Sequence, residues 1–213
     1  DAVDGQLARA KNMVDRRGRF LDSIADIIIN LLVFMAISYS IYSLHGNFSV
    51  FILGFFAFLS LTLRVSYFVF YLVSYLKLED KMKMNRTIEI VTEEDKKGDK
   101  LALILQYIFN FFYTWQDMLI YYIDKFSKPS LITDAQEKLW YSDKTSLRLN
   151  NFIGLGTELT LLILMTYLDF AFEYLVINVS ALNLYLITII FYRKFILAKK
   201  IMREENHERE NRR

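Results

Sequence analysis

Residues 48–76 read FSVFILGFFAFLSLTLRVSYFVFYLVSYL, a run of 29 residues whose single charge is Arg64. A helix needs about 20 mostly apolar residues to cross a bilayer core, so this stretch reads as a transmembrane helix with length to spare. Three further runs qualify on the same ground. The first spans about Ile27–Leu44 and can begin as early as Phe20. The others span about Asn151–Leu168 and Tyr174–Tyr192, the latter without a charge. One proline and seven glycines in 213 residues leave little turn chemistry for a β fold, and 54% hydrophobic content is too high for an ordinary soluble domain. The expected fold class is all-α, a polytopic transmembrane helix bundle. Cysteine is absent, which excludes disulfides and thiolate chemistry. His45 and His207 are too few for a histidine-rich metal site or a Ser-His-Asp triad. A net charge of +2 argues neither for nor against nucleic acid, and no nucleic-acid partner is expected.

A fifth run, Leu101–Phe126, carries Gln106, Asn110, Asp117 and Asp124 at spacings of four and seven, a polar stripe on one helical face. It can cross the membrane with that stripe against protein, or lie in the interface. The basic residues arbitrate. Residues 1–19 hold five Lys/Arg, 78–149 hold eleven and 193–213 hold eight. The intervening loops near His45–Asn47 and Asp169–Glu173 hold none. With four spans, every basic loop falls on the cytoplasmic side; a fifth span would put the basic tail on the wrong side. The expectation is one membrane domain over 1–213, with a cytoplasmic insert at 78–149 containing an interfacial or re-entrant helix at about 101–126. A charged cytoplasmic tail occupies 199–213. Trp115, Trp140 and the many tyrosines suit an interfacial aromatic belt.

The chemistry concentrates in residues 1–26, DAVDGQLARAKNMVDRRGRFLDSIAD. Asp1 and Asp4 share one helical face, and Asp22 and Asp26 share another. Gly5 and Ala8 leave room beside Asp4. A basic connection (Arg9, Lys11, Arg16, Arg17, Arg19) joins the pairs. Four carboxylates at a membrane edge repel one another and resist desolvation unless cations bind them. Hard oxygen donors without Cys or His favour Mg²⁺, Mn²⁺ or Ca²⁺, ions that commonly hold the phosphates of a nucleotide substrate. Each pair alone reads equally as surface acids at a helix end.

The spacing resembles the signature of the CDP-alcohol phosphotransferase (CDP-alcohol phosphatidyltransferase) family. Two aspartates flank two residues, then Gly, two residues, Ala-Arg, eight residues, Gly, three residues, Asp, three residues, Asp. Asp1, Asp4, Gly5, Ala8, Arg9, Gly18, Asp22 and Asp26 meet all eight fixed positions. Many members have Ser or Thr in the linker and Phe before the second glycine, where Asp15 and Arg17 stand here. The resemblance implies a six-helix fold with cytoplasmic termini, the motif spanning the end of the second helix and the start of the third. The chain then reads as a fragment whose N-terminal helices are largely missing, as its start at Asp1 suggests. It further implies Mg²⁺ or Mn²⁺, one or two ions, held by Asp1, Asp4, Asp22 and Asp26. Asp26 would also act as general base, Gly5 and Arg9 would contact the CDP group, and Ala8 and Gly18 would be packing or close-approach positions. The implied reaction transfers a phosphoalcohol group from a CDP-alcohol, CDP-diacylglycerol in phospholipid synthesis, to an acceptor alcohol with release of CMP. A homodimer in the cell (inner) membrane, with the site facing the cytoplasm, also follows from the resemblance.

Two charges within the spans stand apart. Arg64 lies mid-span, where a charge faces a cavity, an anion or a carboxylate partner, or snorkels. Glu158 follows Gly154 and Gly156 near the start of the third span. Together they are candidates for an acceptor pocket, or for a helix-packing device. A cation-binding transporter and a catalytically inactive family relative are the competing functions. The first expects carboxylates spread through the spans, and here they cluster at one edge.

Overall fold

The computed structural model describes residues 16–79, 90–130 and 133–203. These are helical throughout, with no strand among them. In chain order they form α1 (Arg16–His45), α2 (Ser49–Leu78), α3 (Glu93–Lys97), α4 (Lys100–Ser127), α5 (Asp134–Ser142), α6 (Lys144–Asn151), α7 (Leu155–Tyr167), α8 (Ala171–Val179) and α9 (Ala181–Phe191). A π-helical turn, Tyr192–Leu197, continues α9 into a last helical stretch through residue 203. Four segments are long and apolar enough to cross a membrane: Arg16–His45, Ser49–Leu78, Asp134–Tyr167 and Ala171–Arg203. They match the four runs read from the sequence, with α1 starting well before Ile27.

The α1–α2 hairpin organises the bundle. Its turn needs Gly46, at φ +66°, and Asn47, whose side-chain carbonyl accepts from the Ser49 N–H at 3.0 Å and the Ser49 hydroxyl at 2.8 Å. Ile27, Phe34 and Ile41 recur every seven residues on α1 and meet Val50, Ala57, Phe58 and Leu61 on α2. In lipid, burial from water does not drive this contact; close packing of small residues does. A Cβ on Gly54 would lie 2.0 Å from Ser38 Oγ and 3.3 Å from Phe34 O, so the two backbones approach as nearly as glycine permits. The outward faces of the hairpin (Leu21, Ile28, Leu32, Ile52, Phe56) are apolar and exposed, as a lipid-facing surface must be.

The third segment differs from the uninterrupted Asn151–Leu168 run. Asp143 ends α5 and caps α6, accepting from the Ser146 N–H at 2.8 Å, and Gly154 separates α6 from α7. With 13 residues, α7 is ~20 Å long, too short to cross the bilayer core alone. The fourth segment is broken at Ser180 and again by the π turn.

The polarity of α4 is inverted relative to a soluble surface helix. Gln106, Gln116, Asp124 and Ser127 are buried, while Ile104, Ile108, Phe111, Trp115, Met118, Tyr122 and Phe126 are exposed. Its contacts fall on one end of the hairpin. Phe109 meets Phe20 at 5.3 Å between ring centroids, and the Tyr113 hydroxyl donates to Ser23 O at 2.9 Å. Ser66 Oγ donates to Gln116 Oε1 at 2.9 Å, and the Tyr71 hydroxyl donates to Asp124 Oδ1 at 2.7 Å. A 28-residue helix is ~42 Å long, yet these contacts cover only ~5 Å of rise on α1 and ~8 Å on α2. It therefore crosses the hairpin obliquely rather than running beside it.

Candidate active site

The N-terminal turns of α1 carry the second half of the aspartate motif. Asp22 is exposed and Asp26 half-buried, one helical turn apart on one face. Gly18 is exposed, and among the described residues nothing lies within 4 Å of a Cβ built on it. Asp1, Asp4, Gly5, Ala8 and Arg9 lie outside the described residues. So does most of the linker, Asp15 included. No group of three or more potential metal ligands occurs among the described residues, which hold only one of the two aspartate pairs.

Two acids on the α3–α4 segment engage the start of α1. Asp95 closes a capping box with Thr92, accepting from the Thr92 N–H at 2.9 Å, and pairs with Arg16. Asp99 caps α4, accepting from the Ala102 N–H at 2.9 Å, and pairs with Arg17. The hydrogen bond from Arg16, with help from the Thr92 backbone, holds the Asp95 carboxyl well below the usual range. The Ala102 N–H and the Arg17 pair lower Asp99. These pairs tie Arg16 and Arg17, at the start of α1, to α3–α4. Among the described residues, neither Asp22 nor Asp26 forms an ion pair. Two carboxylates one helical turn apart are a donor set suited to a hard divalent cation.

Tyr113 extends α4 into this neighbourhood. Its hydroxyl holds Ser23 O, within the turn that joins Asp22 to Asp26. Burial, then the carboxylates of Asp26, Asp117 and Asp22, push its ionisation up to about 12, so it stays a neutral donor. Sequence reasoning missed Tyr113, Asp95 and Asp99. The signal for Tyr113 was its place on the polar stripe between Asn110 and Asp117.

Arg64 and Glu158 are brought together. Arg64 is fully buried and its Nη2 donates to Glu158 Oε2 at 3.0 Å and Asn178 Oδ1 at 3.0 Å. Its Nη1 donates to Asn178 O at 2.8 Å and Asn183 Oδ1 at 3.0 Å. Glu158 Oε1 accepts from the Tyr174 hydroxyl at 2.8 Å and from Asn178 Nδ2. Asn183 reaches on to Ser60 Oγ at 2.9 Å. This network joins α2, α7, α8 and α9 through one buried ion pair. Among the described residues, no hydrogen bond or ion pair links it to Asp22 or Asp26.

The model of the CDP-alcohol phosphatidyltransferase family matches residues 1–133 of the 213. The chain belongs to that family. No curated protein matches it, and no solved structure matches it. The CDP-alcohol phosphatidyltransferases are an enzyme family of CDP-alcohol phosphotransferases, generally metal-dependent, and membership implies that activity in phospholipid synthesis. The match covers the aspartate motif, the hairpin and α4, and it ends before α5.

Proposed function

We propose that this CDP-alcohol phosphatidyltransferase moves a phosphatidyl group from CDP-diacylglycerol to an acceptor alcohol and releases CMP. The observation that carries the reading is the eight-position motif, with Asp22 and Asp26 one turn apart on α1 and without ion-pair partners among the described residues. In this reading Asp1, Asp4, Asp22 and Asp26 hold one or two Mg²⁺ or Mn²⁺ ions. A metal held there would supply charge neutralisation for the donor's diphosphate and for CMP as leaving group. Gly5 and Arg9 contact the CDP group.

Asp26 takes the proton from the acceptor hydroxyl, and the freed oxygen forms a bond to the β-phosphorus. The bond from that phosphorus to the bridging oxygen breaks, and CMP departs with the electron pair. Tyr113, through Ser23 O, keeps the Asp22–Asp26 turn in place. The pairs with Asp95 and Asp99 tie Arg16 and Arg17 to α3–α4. The half-buried position of Asp26 suits a base beside a donor whose acyl chains remain in the bilayer.

The charge distribution supports a site facing the cytoplasm. The outward apolar stripe and oblique course of α4 support the reading of 101–126 as an interfacial element within a 78–149 insert. The family implies a homodimer. The test supplies CDP-diacylglycerol, Mg²⁺ and a panel of polar alcohols to the purified protein, and identifies the lipid product by mass. One new phospholipid, formed only with metal, supports the reading. Its absence across the panel, with the protein folded and metal-bound, points to the inactive-relative reading.

A further inference from the structure

Arg193 is among the least satisfied buried groups of the described residues. It is fully buried, and it sits in the π-helical turn, a local distortion that recurs at functional sites. Its guanidinium lies 3.5 Å from the Tyr71 ring centroid and 5.3 Å from that of Trp140, so two aromatic rings fix its plane. Only Nη1 has a partner, Trp140 O at 3.2 Å, while Nε and Nη2 have none. Those two nitrogens form the side-on fork of a guanidinium. Its parallel N–H bonds match two oxygens of a carboxylate or phosphate.

The orphaned atoms extend past Arg193. Tyr67, whose ring is 4.8 Å from that of Tyr71, leaves its hydroxyl unpartnered. Ser146 and Asn150, one turn apart on the buried face of α6, leave Oγ, Oδ1 and Nδ2 unpartnered. Asn150 adjoins Leu149, whose carbonyl accepts from Tyr185 at 3.2 Å, two turns before Arg193 on the same segment. These side chains are all at least 99% buried, in the junction of α2, α6 and the last segment. A buried polar atom without a partner is destabilising until something binds it. Asp124 does not fill the fork. Its oxygens accept from Tyr71 and Trp140 (Oδ1, 2.7 and 2.8 Å) and from Tyr141 (Oδ2, 2.9 Å).

We propose that the Arg193 fork, with Tyr67, Ser146 and Asn150, is a binding site for a phosphate-class oxyanion, separate from the aspartate motif. Arg193, Ser146 and Asn150 lie beyond the family-matched residues, and Tyr67 lies within them. Leu197 lies one helical turn after Arg193. A groove of about 270 Å³ opens beside Leu139, Leu197 and Ile201, with Lys144, Lys200 and Asp143 on it. The oxyanion can be free phosphate or the phosphate of an anionic phospholipid headgroup.

The test follows the melting temperature of the purified protein in EDTA, which prevents divalent cations from holding phosphate at the aspartates. One arm titrates inorganic phosphate against chloride at equal ionic strength. The other replaces phosphatidylcholine by phosphatidic acid in mixed micelles. Stabilisation in either arm is expected, with the midpoint at least about tenfold weaker in Arg193→Lys, which keeps the charge and loses the fork. Stabilisation by phosphatidic acid alone assigns a lipid headgroup, and stabilisation in both arms shows that free phosphate suffices. No stabilisation in either arm overturns the proposal, as does an unchanged midpoint in Arg193→Lys. Should that variant not fold, Tyr67→Phe carries the comparison, and a wild-type midpoint there overturns the proposal too.

Discussion

Replacing Glu158 by alanine removes the carboxylate that balances Arg64 in the middle of the bundle. Arg64 is fully buried and the Glu158 side chain is 5% exposed, so water cannot take over the lost role. Asn178 and Asn183 would still accept three of the hydrogen bonds from Arg64, but its charge would be uncompensated. The Tyr174 hydroxyl and Asn178 Nδ2 would lose their common acceptor as well. Breaking a buried pair from one side costs roughly 3–5 kcal/mol. Removing both partners with apolar residues of similar volume, Arg64→Met with Glu158→Met, is often close to neutral. The double variant should therefore be more stable than Glu158→Ala, and a double-mutant cycle of Arg64→Met and Glu158→Met should give a coupling of about 2 kcal/mol or more. Reversible unfolding in mixed detergent measures all four corners. A Glu158→Ala loss below about 1 kcal/mol, or strictly additive single effects, would refute the ion-pair account. An unchanged stability with a raised acceptor KM would instead return Arg64 and Glu158 to the acceptor pocket.

Gly54→Ala places a methyl 2.0 Å from Ser38 Oγ, so the hairpin should lose about 1–3 kcal/mol, and Ser38→Ala should restore part of it in the same unfolding assay. Asp95 and Asp99 have folded pKa values below their unfolded ones. The α3–α4 clamp should hold above about pH 4 and open as pH falls through the lower folded values. Hydrogen exchange over residues 92–103 should show that loss in acid, and Asp95→Asn should show it at neutral pH. Persistent protection in Asp95→Asn would argue against the clamp. Trp115, exposed on the apolar stripe of α4, should be quenched by brominated lipid and not by aqueous iodide, and the reverse result would take α4 out of the bilayer.

The four spans were legible because long apolar runs leave a chain few alternatives in lipid, and the motif because eight positions share one spacing. The internal breaks were not legible. Asp143 reads as an ordinary polar residue until its side chain is seen capping α6. The stripe Gln106–Asn110–Asp117–Asp124 announced a polar face on α4. It could not say that Asp95 would meet Gln106 or that Tyr71 would meet Asp124, because partners across helices leave no mark on local spacing. Arg193 shows the sharper limit. At the end of an apolar run it counts as a basic flank of the tail, yet the π turn carries it inside. Arg64 and Glu158 each stood out alone, but their pairing across 94 residues is a property of the fold.

The most direct test of the central claim is acceptor-dependent CMP release from CDP-diacylglycerol, wild type against Asp26→Asn, with Mn²⁺ binding followed on the same samples. Release that needs both acceptor and divalent metal, and that falls by at least about a hundredfold in the folded variant, is the predicted result. Undiminished release in Asp26→Asn would contradict the account.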